Sequence, residues 1–511
     1  MTAEGFDVIV VGSGSAGGTV AARLSEDPAR SVLLLEAGPD FPQEAEWPPL
    51  FMMSGERTWV PAGLPEFDWR YEDTPLTSGR RVRLPRGRLV GGSSMVNATV
   101  AVRGASLDFD RWEAMGNPGW GFADVLPRYM RLENDLDFGD APYHGDAGPL
   151  AIQRYDEADW APVHRPFIDA CQDLGMRFSD DLNRPGEDAN VVGVWPHNRL
   201  NEVRLGTLPT YIRAARNRPN FTVRGDALVD RVLIENGRAT GVRYVDPAGT
   251  AHEVRADLVI VSGGAYGSPA ILQRSGIGDP AWLRAAGVEP LVDLPVGRNL
   301  LDHPNCPFEF VAPALGRLHG RIILANARGP VDATGEPGWQ GFPVGVDPAR
   351  GTAAVVVCLN RQDAEGEVRI VSADPAEAPH IDHRYLTEAE DLRRYEEAWA
   401  FFREMLGQPA FAEHGAKEVT AGMEVADILL QRLSTAHHPC GTCRMGPDGD
   451  ERAVVDPALR VRGVEGLMVA DTSVFPDNIM HNTNLTAHMV GEMAADLVAG
   501  IEVEPVAAVT A

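Results

Sequence analysis

A chain of 511 residues, 44% apolar and 23% charged, is long enough for several domains and has the balance of a globular protein with a large core. Its formal charge of −27 excludes nucleic acid and anionic membrane surfaces as natural partners, because both call for a basic face. Lys417 is the only lysine, so Schiff-base chemistry has almost no candidate residue.

The chain begins with Glu4 and Asp7 where a signal peptide would carry basic residues, and no apolar run approaches the ~18 residues of a membrane span. Neither feature is expected, and the five scattered cysteines then read as reduced thiols of a cytoplasmic protein. Val8–Val11 has the pattern of a buried strand. It enters Gly12-Ser13-Gly14-Ser15-Ala16-Gly17, a G-x-G-x-x-G. A helix pattern follows, with Val20 and Leu24 on one face, and then a second strand, Val32–Leu35, that ends in Glu36. Gly12 allows the turn, Gly14 admits a pyrophosphate to the backbone, and Gly17 lets helix and strand pack closely. The helix N-terminus offers free N–H groups, and Glu36, about 20 residues on, is placed to accept from ribose hydroxyls. A lone Gly-rich turn is a weak signal; strand, turn, helix, strand and acid in this order predict a dinucleotide site. The acid at Glu36 favours FAD or NAD over NADP.

Residues 40–85, rich in Pro and Trp, read as an irregular excursion over that site. In Arg86–Asn97 the pair Gly91-Gly92 permits close backbone approach, and Ser93, Ser94 and Asn97 add small polar groups. Residues 221–261 read as short strands, with Asn236-Gly237 as a hairpin turn. Leu258–Ser262 is a buried strand ending in Gly263-Gly264, with a helix pattern from Ser268. Residues 305–385 alternate weakly, and a helix pattern covers 388–406. Leu467–Ala470 is a buried strand ending in Asp471, where open α/β sheets bind ligands. A last helix starts at Thr483, with Met489, Met493 and Leu497 on a core stripe and Gly500 as its stop. Only the last ten residues read as a tail.

His437-His438-Pro439-Cys440-Gly441-Thr442-Cys443 admits three readings. Zinc needs ligands that close a tetrahedron, and no second C-x-x-C or spaced histidine pair supplies them. A redox dithiol would open a helix in a small βαβ domain, which this context is not. The third reading makes one histidine a general base and the cysteines packed thiols.

RGRLVGGSSMVN with VRGASLDFDRWEAMGNPGW, then GGAYGSPAILQRSGIG (263–278), HHPCGTCRMG (437–446) and residues 454–497 together closely resemble the glucose–methanol–choline family of flavoprotein oxidoreductases. The resemblance implies an α/β fold, α+β overall, with a Rossmann-like FAD-binding domain (1–155, 195–304 and 452–505) interwoven with a β-sheet-plus-helices substrate domain (156–194 and 305–451). It implies FAD contacts from Gly12, Ser13, Gly14, Ser15, Gly17, Glu36, Ala37, Arg88, Gly91, Gly92, Ser93, Asn97, Ala98, Val100, Val229, Gly263, Asp471, Thr472, Asn482 and Thr483. Some relatives attach FAD through a histidine just before the Asn of G-G-S-S; Val96 stands there, so the FAD is expected to be non-covalent. The family's base position falls on His438 and its partner on Asn482. His437 replaces a usually aromatic residue, and His481 is a lesser candidate.

The activity implied is oxidation of an alcohol CH–OH to an aldehyde or ketone. Hydride goes to flavin N5, the proton goes to His438, and O2 or another acceptor reoxidises the flavin. Choline-like, aryl and simple alcohols and sugars all remain open as substrates. The rivals are a hydroxynitrile lyase that holds FAD without net redox and a non-catalytic photoactive flavoprotein. No metal is expected, and the protein is expected to be a monomer or homodimer.

Overall fold

The computed structural model describes residues 4–53, 64–74, 76–313, 315, 323–331, 337–347 and 351–506. Part of the expected excursion, 54–63, and the end of the expected tail, 507–511, lie outside the described residues.

In chain order, β1 (Gly5–Val11) leads into α1 (Ser15–Leu24) and β2 (Val32–Leu35). The excursion contributes 3-10 turns and a short antiparallel pair, Tyr71–Glu72 with Arg83–Leu84. Then come β3 (Arg177–Ser179), β4 (Val191–Val194), β5 (Phe221–Arg224), β6 (Leu228–Glu235), β7 (Arg238–Val245) and β8 (Ala251–Val261), the last running into α2 (Gly264–Arg274). The second half adds β9 (Pro304–Val311), β10 (Ala325–Arg328), β11 (Trp339–Asp347), β12 (Thr352–Leu359), α3 (Ala389–Leu406), β13 (Lys417–Glu418), β14 (Ser434–Thr435), β15 (Leu467–Val469) and α4 (Thr483–Ala499).

Two large sheets result. A seven-stranded sheet runs β5-β2-β1-β8-β7-β6, with β15 also on β8. β5, β2, β1, β8 and β15 are parallel and in register, Leu35 beside Val11, Val11 beside Val261 and Val261 beside Val469. Their last residues therefore form one row, and the chain leaves that edge at Gly12, Glu36, Ser262 and Ala470, where a parallel sheet presents ligand-binding loops. Val8–Val11, Val32–Leu35 and Val259–Val261, the central runs, read as unbroken Val, Ile and Leu because both faces are covered. Asn236-Gly237 makes the expected hairpin between β6 and β7, both residues at positive φ.

An eight-stranded sheet runs β13-β9-β12-β11-β10-β4-β3, with β14 also on β9. Its residues alternate between two faces. Trp339, Phe308 and Val355 turn toward α3, where Trp339 and Phe308 meet Phe402 ring to ring. The residues between them turn to a cavity.

Two expectations need correction. α2 starts at Gly264, four residues before Ser268, because the distant Asp471 carboxylate accepts from the Gly264 N–H (2.8 Å) and the Ser268 hydroxyl (2.6 Å) and so holds the helix start. In α4, Met489 and Met493 are buried, but Leu497 is 39% exposed, because α1, which covers this helix, has already ended.

Candidate active site

A cavity of about 780 Å³ lies between the C-terminal edge of the first sheet and the inner face of the second. Its lining runs from Glu36 and Val229 to His438 and Asn482. All the FAD contacts expected from the resemblance line it except Gly17, Arg88 and Gly91. Gly17 lies behind the turn, where a Cβ would stand 1.9 Å from the Gly12 carbonyl oxygen. Gly91, at φ +100°, donates its N–H to the Ser13 hydroxyl, and the Arg88 guanidinium sits over the Trp69 ring.

The dinucleotide end is built on β1, α1 and β2. A Cβ on Gly14, at the start of α1, would meet nothing within 4 Å, so the backbone is open there to a bulky anion. Glu36 accepts from Ser13 through its N–H (3.1 Å) and hydroxyl (2.7 Å), and from the Gly38 N–H (3.1 Å). Burial raises the pKa of this carboxyl, which these bonds partly offset. Two oxygens carry about four acceptor sites and three are taken, so capacity remains for about one ribose hydroxyl. Asp471 is likewise buried, and it also accepts from the Ser473 N–H at 2.7 Å.

The other end is built where three distant segments meet. Leu301 and Cys440 exchange two backbone hydrogen bonds, and Ala436 N–H donates to His303 O at 2.8 Å. Between those anchors His437 takes a φ of 67° and His438 turns into the cavity. The buried Asp302 carboxylate accepts from the His438 N–H at 2.8 Å, from the Tyr385 hydroxyl at 2.6 Å and from the Thr435 hydroxyl. His438 Nε2 lies 3.2 Å from Asn482 Nδ2 at the start of α4. Its Nδ1 lies 2.8 Å from Nδ1 of His303. Burial, then the neighbouring His303, push the His438 pKa well below the usual histidine value.

The other two candidate histidines separate from it. His437 lines the cavity, burial pushes its pKa down to about 3, and its carbonyl accepts from Arg86 at 2.9 Å. His481 is buried away from the described lining and donates Nδ1–H to the Arg103 carbonyl at 3.1 Å. Cys440 and Cys443 are buried thiols whose pKa burial raises well above the usual range, the opposite of a reactive thiolate.

Sequence reasoning missed His303 and Asp302. Their Asp-His-Pro stretch opens β9 more than 130 residues before His438, and only the LDHP tetrapeptide ahead of a strand could have flagged them. It also missed Arg86 and Tyr266, stacked as cation and ring at 5.4 Å on the cavity wall.

The inner face of the second sheet closes this end. Register sets Asn305, Cys358 and Gln340 in one row and Pro307, Val356 and Phe342 in the next, with Trp195 against Phe342 at 4.9 Å. The polar row adjoins the catalytic candidates: Gln340 donates to Met480 O at 3.3 Å and Asn305 to Thr435 O at 2.9 Å.

The residues fit an FAD. The cavity joins the Gly12–Gly14 turn and Glu36 to His438 and Asn482, α1 and α4 both start at its wall, and the buried Oδ1 of Asn482 and Nδ2 of Asn484 have no partner among the described residues.

Family models described as GMC oxidoreductase match residues 6–305 and 362–491. An oxygen-dependent choline dehydrogenase of Sinorhizobium medicae (strain WSM419) is 35% identical, over 97% of this chain and 95% of that one. One of Vibrio vulnificus (strain YJ016) is 34% identical, over 96% and 94%. Among solved structures, pyridoxine 4-oxidase from Mesorbium loti superposes with a TM-score of 0.87 at 30% identity, covering 97% of this chain and 99% of that one. A formate oxidase variant from Aspergillus oryzae RIB40 gives 0.87 at 25%, covering 98% and 99%.

Proposed function

The chain belongs to the GMC oxidoreductase family and is an FAD-dependent alcohol oxidoreductase; from that premise we propose that His438 is its base, Asn482 its oxygen-holding donor, and an uncharged alcohol with an apolar or aromatic substituent its substrate. The observation that carries the reading is the 3.2 Å approach of His438 Nε2 and Asn482 Nδ2 at the end of the dinucleotide cleft. An alcohol hydroxyl that displaces the Asn482 amide from Nε2 donates its proton to Nε2 and accepts from that amide in turn. FAD, when bound, supplies the hydride acceptor. His438 is neutral because it is buried, so it is ready to take the proton, and Asn482 holds the oxygen while the C–H bond breaks.

The same reading divides the chain into the two interwoven domains given above. Sheet membership supports it, since β3 and β4 join the sheet built from β9 to β14 while β5 to β8 and β15 join β1.

The curated relatives are named for choline. Here the carbon skeleton meets the Pro307–Val356–Phe342 row and Trp195, and among the described lining residues no carboxylate lies on the three strands of that wall. Glu309, further along β9, is paired with Arg432. On that wall a quaternary ammonium would find no carboxylate, since the lining carboxylates Glu36, Glu377 and Asp471 stand on other segments, whereas an aryl or alkyl group gains about 25 cal/mol per Å² buried. Anaerobic mixing with benzyl alcohol should bleach the flavin, and kcat/KM for benzyl alcohol should exceed that for choline. Faster bleaching by choline would overturn the substrate reading, and no bleaching by any alcohol would overturn the reading of the site.

A further inference from the structure

The ring closest to the proposed base is His303, which no motif singled out. The two imidazoles stand edge to face, centroids 5.0 Å apart and planes at 82°, with their Nδ1 atoms 2.8 Å apart. The other nitrogen of His303, Nε2, lies 2.7 Å from the Ile479 carbonyl oxygen. A carbonyl oxygen only accepts, so His303 carries its proton on Nε2. In a neutral ring the remaining nitrogen is then a bare acceptor, and the 2.8 Å contact requires His438 to donate from Nδ1. The lone pair of His438 is left on Nε2, facing Asn482 and the cavity, and the Asn482 amide donates to it.

We propose that His303 is a positioning residue that selects the base-competent tautomer of His438, with the Ile479 carbonyl as the anchor that sets both rings. The proposal rests on His438 being the base. Which imidazole nitrogen is bare depends on the hydrogen bond the other one makes, and here the partner of that other nitrogen is itself fixed by a backbone atom. Ile479 lies three residues before Asn482, so one loop orders both ends of the relay. The 303–436 and 301–440 backbone bonds hold the two rings at a constant separation. Burial lowers the pKa of His303, which keeps it neutral and able to accept. Asp302 and the Ile479 and Asn360 backbone oppose that trend, while His437 and Arg86 act on His438 and push its pKa further down. A charged His303 would donate from both nitrogens, and His438 would then have to turn its lone pair toward it and lose its base. Once His438 has taken the substrate proton it still donates Nδ1–H to His303, so the same bond serves before and after proton transfer.

Three FAD-loaded, full-length variants test this by stopped-flow flavin reduction under nitrogen. His303→Asn keeps an acceptor near the Nδ1 position, and His303→Leu keeps bulk without one. His438→Ala is the control for the base. H303L should slow the limiting reduction rate by about 10²-fold at every pH along the plateau, with little change in the half-saturating alcohol concentration. H303N should stay within about 10-fold of wild type. In the wild type, ¹⁵N spectra of histidine-labelled enzyme should show His438 protonated at Nδ1 and bare at Nε2. Wild-type reduction in H303L with a slow H438A would overturn the proposal and leave the base standing. Equal losses in H303N and H303L would make His303 structural only and also overturn it. A wild-type spectrum with His438 protonated at Nε2 would overturn it whether or not the variants fold. Near-wild-type reduction in H438A would instead overturn the reading on which the proposal rests.

Discussion

At the scale of single residues, the chemistry turns on which ring nitrogen is bare and at what pH. As the proposed base, His438 would work only when deprotonated. Its pKa is pushed well below the usual histidine value by burial first and by His303 next. A base with a depressed pKa keeps its activity above that pKa and loses it as the pH falls through it. Flavin reduction by alcohol should therefore be flat across neutral and alkaline pH and fall only on the acid side of the usual histidine range near ~6.5. His438→Ala should run about 10²–10⁴-fold slower and lose the acid limb. Stopped-flow reduction across pH checks both; a midpoint above neutrality in the wild type would contradict the buried neutral ring. That His438, Asn482 and Glu36 line one cavity was legible in the sequence, because each sits at a fixed spacing inside a local motif. Asp302 and His303 were not, because Asp302 meets His438 across 136 residues and His303 meets His438 and Ile479 across 135 and 176, separations that no local pattern encodes.

At the scale of elements, the two helices that begin at the cavity are fastened to each other. Ser15, Thr19 and Arg23 recur every four residues along one face of α1, as do Asn484, His488 and Glu492 on α4. They pair rung by rung, Ser15 hydroxyl to Asn484 at 2.8 Å, Thr19 with His488 at 2.9 Å and Arg23 to Glu492 at 2.9 Å. A Cβ on Gly491 would stand 2.6 Å from Ala16 O, so the helices touch backbone to backbone. Glu492 is fully buried and also meets Arg131 at 2.7 Å and the Tyr211 hydroxyl at 2.7 Å. Removing one partner of a buried pair strands the other charges and costs about 3–5 kcal/mol. Glu492→Ala should thus lower the thermal midpoint of the FAD-loaded protein clearly, whereas Glu26→Ala, whose carboxylate is half exposed beside the same Arg23, should cost about 1 kcal/mol or less. Thermal unfolding of the pair under one buffer is the check, and equal midpoints would show that the rung is not what holds α1 to α4. The sequence displayed the apolar stripe of α4 but not this polar ladder, since a buried Glu reads as a surface residue until its three partners are in view.

At the scale of the whole molecule, the cavity is walled by both sheets and by the 86–100 segment, so whatever fills it touches parts of the chain that are far apart in sequence. A cofactor that binds the native state alone stabilises it by mass action, about 2.7 kcal/mol at a free concentration 100 times Kd. Val96 lines the cavity where a nucleophile would be needed for a covalent link, and a valine side chain offers none. The FAD should therefore leave intact when the protein is precipitated in acid, with all yellow colour in the supernatant. Protein stripped of FAD under milder conditions should melt at lower temperature and recover its midpoint when FAD is returned. Colour retained in the washed pellet would mean a covalent bond to some other side chain. An unchanged midpoint in the stripped protein would mean that the two sheets hold together through their own contacts, without a cofactor bridging them.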